Sequence, residues 1–143
     1  MATAEIDPAT RARLRAAARS AAGKARCRYS GFPVGAALLL KDGRIVTGFN
    51  IESPAFGSTL CAERCCLVAA ATQSGFVPSQ GAAFAIYGAS PAVLSPCGAC
   101  RQVMWDMLEP DCPVFLFNGT GPEAQTDVKG LFPRPFGEGN LSK

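Results

Sequence analysis

Cys61 and the pair Cys97 and Cys100 stand at the starts of two segments that read as helices, in a chain with no histidine. A helix start offers unpaired backbone N–H groups and the positive end of the helix dipole, and both favour thiolate over thiol. A fold that uses the three cysteines together must bring two helix starts to one point. That requirement restricts the architecture more than any other feature of the chain.

The surrounding pattern supplies the elements for such a fold. Residues 9–25, rich in Ala, Arg and Leu, predict a first helix, with Asp7 as its cap and Pro8 in its first position. The basic residues Arg11, Arg13, Arg15, Arg19 and Lys24 read as its wet side. Residues 26–33 form a loop punctuated by Ser30-Gly31 and Pro33. Two apolar runs, 34–41 and 44–50, are split by Asp42-Gly43 and predict a β-hairpin. Residues 52–57 are a loop. A second helix is expected over 61–74, with Ser58 or Thr59 near its start and Gly75 after its end. A buried strand over 82–88 follows, then a helix over 97–108 and a strand over 113–117. Residues 119–123 read as a turn, and Leu131, Phe132, Pro133 and Phe136 as an irregular apolar tail. A hairpin followed by helix, strand, helix and strand argues for a layered α/β domain with a mixed sheet. One domain over 1–143 fits the length, with no linker or internal repeat.

Composition removes several functional classes. The net charge is +3, from 14 Lys and Arg against 11 Asp and Glu. No dense basic run with interleaved aromatics marks a nucleic-acid surface, so a small polar substrate is expected rather than a polymer. No apolar stretch reaches the length of a membrane span, and the N-terminus lacks the pattern of a secretory signal, so a cytoplasmic setting is expected. The seven cysteines are an odd and clustered set. Metal ligation with buried free thiols accounts for them better than a disulfide framework.

Three thiolates from Cys61, Cys97 and Cys100 can hold one zinc ion per chain and leave its fourth tetrahedral position open, the arrangement of a catalytic site. Glu63 lies two residues beyond Cys61, within reach of the open position without ligating, and is placed to move protons there. The absence of histidine rules out a histidine ligand, base or triad. The excess negative charge of three thiolates calls for a cationic neighbour, and Arg64 or Arg101 can supply it, Arg64 being the stronger candidate. Two other readings stay open on these residues. Cys65, Cys66 or Cys112 can close a structural zinc site, and Cys97 with Cys100 can form a redox pair. Cys27 and Cys112 are expected to be inert thiols, and Cys65 and Cys66 buried helix residues.

Four stretches, in this order, resemble the homotetrameric zinc-dependent cytidine deaminases. They are Tyr29-Ser30-Gly31-Phe32-Pro33-Val34-Gly35-Ala36-Ala37-Leu38, Gly48-Phe49-Asn50-Ile51-Glu52, Cys61-Ala62-Glu63-Arg64 and Ser95-Pro96-Cys97-Gly98-Ala99-Cys100-Arg101-Gln102-Val103. The resemblance runs from about Ala25 to Phe136. It implies a three-layer α/β/α sandwich around a five-stranded mixed sheet. It implies zinc on Cys61, Cys97 and Cys100, Glu63 as proton shuttle and Arg64 tuning the thiolates. It also implies Asn50 and Glu52 on the ribose hydroxyls, Phe32 against the pyrimidine, the Ala62 N–H on the base carbonyl and the Ser95 carbonyl on the amine. Phe136 is implied to reach a neighbouring subunit's site in a homotetramer.

The implied function is hydrolytic deamination of free cytidine and deoxycytidine in pyrimidine salvage. Alternatives are a deaminase of a modified or antibiotic nucleoside, or a non-catalytic zinc-stabilised assembly protein. A polynucleotide editor would need a basic channel, and none is visible. The chain departs from the family pattern at Ser53, Pro54, Ala55 and Phe56 after Glu52, at Phe49 and at Cys65. The first group bears on sugar recognition or subunit contacts, and none touches the zinc chemistry.

Overall fold

A computed structural model describes residues 5–142. Residues 1–4 and 143 of the expected 1–143 unit lie outside the described residues. Five strands form one mixed sheet in the order β2-β1-β3-β4-β5. The strands are β1 (Gly35–Leu40), β2 (Ile45–Phe49), β3 (Gly81–Gly88), β4 (Pro113–Asn118) and β5 (Ala124–Asp127). β1 runs antiparallel to β2 and β3, β3 is parallel to β4, and β4 is antiparallel to β5. The parallel pair requires a crossover. The helix α3 (Gly98–Met107) lies on that connection, after α1 (Pro8–Ala22) and α2 (Ala62–Ser74) and before the short α4 (Val128–Leu131).

Side-chain alternation divides the sheet between two cores. Ala37, Leu39, Ala83, Ala85, Phe115 and Phe117 face α1 through Leu14 and Ala18. Ala36, Leu38, Phe84, Ile86, Val114 and Leu116 face α2 and α3 through Leu67, Ala70, Met104 and Leu108. The result is the α/β/α sandwich around a five-stranded mixed sheet. β3 and β4 are buried on both faces, which explains their nearly continuous apolar sequences.

The expected caps and turns have clear counterparts. The Asp7 carboxylate accepts from the Thr10 N–H at 2.9 Å, and Pro8 opens α1. Asp42-Gly43 turns the hairpin, with Gly43 at φ 92°. Four expectations need correction. α1 stops at Ala22 instead of reaching residue 25, because the Lys24 and Ala25 N–H groups bond three residues back, to Ala21 at 2.9 Å and Ala22 at 3.1 Å, in place of the helical i−4 pattern. β5 and α4 follow the 119–123 turn, where the residues themselves predicted no element and the family resemblance alone implied a fifth strand. Three of the four residues of β5 are polar and the strand lies at a sheet edge, so it carries no apolar alternation to read. Neither Ser58 nor Thr59 caps α2, since Cys61 itself occupies the cap. Arg11 and Arg15 are only partly in water. Their guanidinium groups lie over aromatic rings of the sheet, 5.1 Å from the centroid of Phe117 and 5.3 Å from that of Tyr87, and Arg15 pairs with Glu123 at 2.9 Å. Their stems and planar heads extend the α1 contact beyond its narrow Leu and Ala stripe.

Two glycines let the layers meet. A Cβ on Gly35 would stand 1.9 Å from the Ala18 carbonyl oxygen of α1, and one on Gly48 would stand 2.4 Å from the Cys66 nitrogen of α2. Backbone lies against backbone at both places, so a methyl group cannot be accommodated by a rotamer change. Gly48→Ala is expected to cost about 1–3 kcal/mol or more and to lower the thermal midpoint, and an unchanged midpoint would contradict the close approach of β2 and α2.

Candidate functional site

The two helices on one face of the sheet, α2 and α3, present their N-termini to a common point. Cys61 caps α2 and Cys97 caps α3, with extended backbone at each cap. Cys100 sits in the first turn of α3 and is fully buried. The three sulfur atoms lie within 4.8 Å of one another, and the Cys61 and Cys97 sulfurs are 3.9 Å apart. Tetrahedral zinc with Zn–S bonds of about 2.3 Å sets its sulfurs about 3.8 Å apart. The cluster therefore has the donor type and spacing that zinc takes, with three protein ligands.

The remaining cysteines do not complete a fourth position. The Cys66 thiol donates to the Val46 carbonyl at 3.2 Å, and Cys112 is buried beside Pro113. Cys65 is only half-buried, contrary to expectation, because the α2 face that carries it turns away from the sheet and is not covered within the chain. Burial pushes the Cys112 thiol up to about 12, and Cys65 and Cys66 are raised for the same reason. Cys112 and Cys66 are inert thiols inside the core.

The electrostatics of the cluster are asymmetric. The neighbouring Cys100 thiol, then Arg64 and Cys97, stabilise the Cys61 thiolate, so the Cys61 pKa falls to about 5. Cys100, beside that negative charge and buried, is raised. The Arg64 Nη2 donates to the Cys61 sulfur at 3.5 Å and to the Thr59 carbonyl at 3.3 Å. Arg64 thus supplies the cationic neighbour that three thiolates need. Arg101 does not share that task. Its Nε, Nη1 and Nη2 donate to the Pro96 carbonyl at 2.9 Å, the Leu131 carbonyl at 2.6 Å and the Ser95 hydroxyl at 2.7 Å. It fastens the segment before Cys97 to the end of α4, and all three of its guanidinium nitrogens are engaged there.

Glu63 is in the first turn of α2 and only 5% exposed. Burial raises its pKa, and the charge on Cys61 acts in the same direction, while the Cys100 thiol and Arg64 oppose it. A buried carboxylate beside a three-thiol cluster is a group suited to taking up and releasing a proton. Ala62, at the first position of α2, is buried, and its backbone N–H is among those for which a helix has no internal acceptor.

A cleft of about 260 Å³ is lined by Tyr29, Ser30, Glu52, Ser53, Phe56 and Thr59. Glu52 accepts from the N–H groups of Tyr29 at 2.9 Å and Ser30 at 3.1 Å, and from the Ser30 hydroxyl. These bonds, the hydroxyl first, hold its pKa below the usual value. Asn50 is buried. Its Oδ1 accepts from the Val34 N–H at 2.9 Å and its Nδ2 donates to the Phe32 carbonyl at 3.0 Å. One N–H and one lone pair of its amide remain for other partners. Phe32 is 37% exposed and Phe136 58% exposed. Phe136 is tied to α3 through its carbonyl, which accepts from Gln102 at 2.9 Å.

Sequence reasoning missed Asn118. This buried residue at the end of β4 donates to the carbonyls of Ser90 and Ala92, both at 2.9 Å, and accepts from the N–H groups of Ser90, Thr120 and Gly121, all at 3.1 Å. It anchors the loop that leads from β3 to Cys97. An Asn between an apolar strand and Gly119-Thr120-Gly121 was the available signal, but it reads as an ordinary turn residue.

A family profile described as the cytidine and deoxycytidylate deaminase zinc-binding region matches residues 9–114. A cytidine deaminase of Sporosarcina psychrophila is 39% identical over 130 residues, covering 91% of this chain and 93% of that protein. One from Halalkalibacterium halodurans is 41% identical, covering 76% of this chain and 80% of that protein. The crystal structure of a cytidine deaminase from Burkholderia pseudomallei superposes with a TM-score of 0.84 at 40% identity, covering 87% of this chain and 98% of that one.

Zinc uptake by the metal-free protein is expected to release the Cys100 proton, whereas Cys61 is already ionised above about pH 5. Apparent zinc affinity therefore rises with pH above about 5, because the raised Cys100 thiol stays protonated through the neutral range. Competition with a chelator checks this, and an affinity independent of pH would contradict it.

Proposed function

We propose, because the chain belongs to the cytidine and deoxycytidylate deaminase family, that it hydrolyses free cytidine and deoxycytidine to uridine and deoxyuridine with release of ammonia. It is a zinc-dependent hydrolytic deaminase. The observation that carries the reading is the buried Glu63 in the same helical turn that follows Cys61, beside a cluster of three thiols and no fourth protein ligand among the described residues.

Cys61, Cys97 and Cys100 would hold the metal. Zinc bound there supplies Lewis acidity, which brings the pKa of a water from about 15.7 to about 7. Glu63 accepts one proton of the attacking water and passes it to the ring nitrogen beside the reacting carbon; it then takes the second proton from the hydroxyl added to that carbon and hands it to the amine, which departs as ammonia while the carbonyl forms. Burial serves this role, because a raised pKa makes the carboxylate a better acceptor of the water's proton than an exposed one. The Ala62 N–H holds the base carbonyl and the Ser95 carbonyl receives the amine hydrogens. Asn50 and Glu52 take the sugar hydroxyls, and Phe32 covers the pyrimidine.

The assembly in this reading is a homotetramer in which Phe136 of one chain completes a neighbour's site. Large apolar side chains that the single chain leaves uncovered support it: Phe56 at 78%, Phe136 at 58%, Val68 at 52% and Leu60 at 47% exposure. Free nucleosides of pyrimidine salvage make the cytoplasm the expected setting. No described helix is long and apolar enough to cross a membrane.

Ammonia release is to be measured from cytidine, deoxycytidine, cytosine and adenosine, with zinc content determined on the same sample. Turnover of the two cytosine nucleosides with about one zinc per chain is expected; full zinc without turnover of either would overturn the assignment. Glu63→Gln is expected to retain zinc and lose about a hundredfold to ten-thousandfold in kcat. A fully active variant would remove Glu63 from the proton path.

A further inference from the structure

Phe32 is 37% exposed, so core packing does not fix the direction of its ring. Its own peptide groups are fixed instead. The Phe32 N–H donates to the Ser30 hydroxyl oxygen at 3.0 Å, and the Phe32 carbonyl accepts from Asn50 Nδ2 at 3.0 Å. The next residue, Pro33, has no N–H, and the following one, Val34, donates its N–H to Asn50 Oδ1 at 2.9 Å. Gly31, between Ser30 and Phe32, takes φ +64° and turns the chain so that the Ser30 side chain folds back over the Phe32 amide.

The Ser30 hydroxyl does two things at once. Its oxygen accepts from Phe32 and its proton goes to Glu52 Oε1, while Glu52 Oε2 holds the Tyr29 and Ser30 N–H groups. A hydroxyl can donate and accept together, and a methyl group can do neither. Because Glu52 is a carboxylate, the bond it receives is charge-assisted and is the stronger anchor of the pair. Asn50 and Glu52 both follow directly from β2, so the loop is tied at two points to one strand end.

We infer that Ser30, acting with Asn50, is a positioning residue that sets the ring of Phe32 by bonding its backbone on both sides. The inference rests on the reading above in one respect, that Phe32 covers the base. It adds that the residues assigned to the sugar also hold the residue assigned to the base, with Ser30 as the link between Glu52 and the Phe32 amide. Sugar and base recognition therefore share one hydrogen-bonded unit.

The test uses Ser30→Ala and Ser30→Thr in the full zinc-loaded protein, with and without Phe32→Ala. Ser30→Ala is expected to lower kcat/KM for cytidine about tenfold with zinc content unchanged. Ser30→Thr, which keeps the hydroxyl, is expected to restore it to within about twofold. In the Phe32→Ala background, Ser30→Ala is expected to have almost no further effect, because its influence travels through that ring. Amide exchange at Phe32 in the ligand-free protein is expected to quicken about tenfold in Ser30→Ala. Losses that multiply in the double variant, or exchange that does not change, would overturn the inference. If the unaltered protein releases no ammonia from cytidine, the functional reading fails by itself, and the exchange measurement still decides whether Ser30 holds Phe32.

Discussion

Three sulfur atoms that are to share one cation must first tolerate one another. Thiolates a few ångströms apart repel, and each loses hydration when brought inside a protein. The fold answers with three positive features at one place, the N-termini of α2 and α3 and the guanidinium of Arg64. Much of the architecture follows from that convergence. Two helices on one face of the sheet must begin at the same edge, and α2 must lie close enough to β2 to bring Cys61 there. The backbone contact at Gly48 makes that approach possible.

The opposite face has a different task. α1 contributes no candidate ligand, and its buried side chains are short: Leu14, Ala18, Ala21 and Ala22. Arg11 and Arg15 widen its hold by lying on Phe115, Phe117 and Tyr87. Through Glu123, Arg15 also reaches the Asn118 turn, since Glu123 Oε1 accepts the Asn118 N–H at 3.1 Å. The structural layer is thereby joined by hydrogen bonds to the loop that delivers Cys97.

Features whose causes are local in the chain were legible in the sequence. The Asp7 and Pro8 helix start, the Asp42-Gly43 hairpin and the Cys-x-x-Cys helix start each depend on a few adjacent residues. The apolar runs of β1, β3 and β4 announced themselves by burial. β5 was not legible from its own residues, because a four-residue, mostly polar edge strand owes its existence to the neighbouring β4, and the fifth strand was expected only from the family resemblance. Arg11 and Arg15 were misjudged for a similar reason: an arginine lying on rings supplied by strands more than seventy residues away has the same local sequence as one in water. The site shows the same division. The meeting of Cys61, Cys97 and Cys100 at one point followed from their places at two helix starts. The burial of Asn50, the engagement of Arg101 with Ser95, Pro96 and Leu131 and the hub at Asn118 all depend on tertiary partners.

The close seat of α2 on β2 has a consequence for size. Glu52 leaves from the end of β2 and Glu63 from the start of α2, and Gly48 brings the two elements into backbone contact. The cleft at Glu52 and the thiol cluster at Cys61 are thus two marks on one stiff body. On the proposed reading the body works as a gauge. The separation of the two marks is then set by the backbone, so a molecule that engages both must match it as a rigid measure.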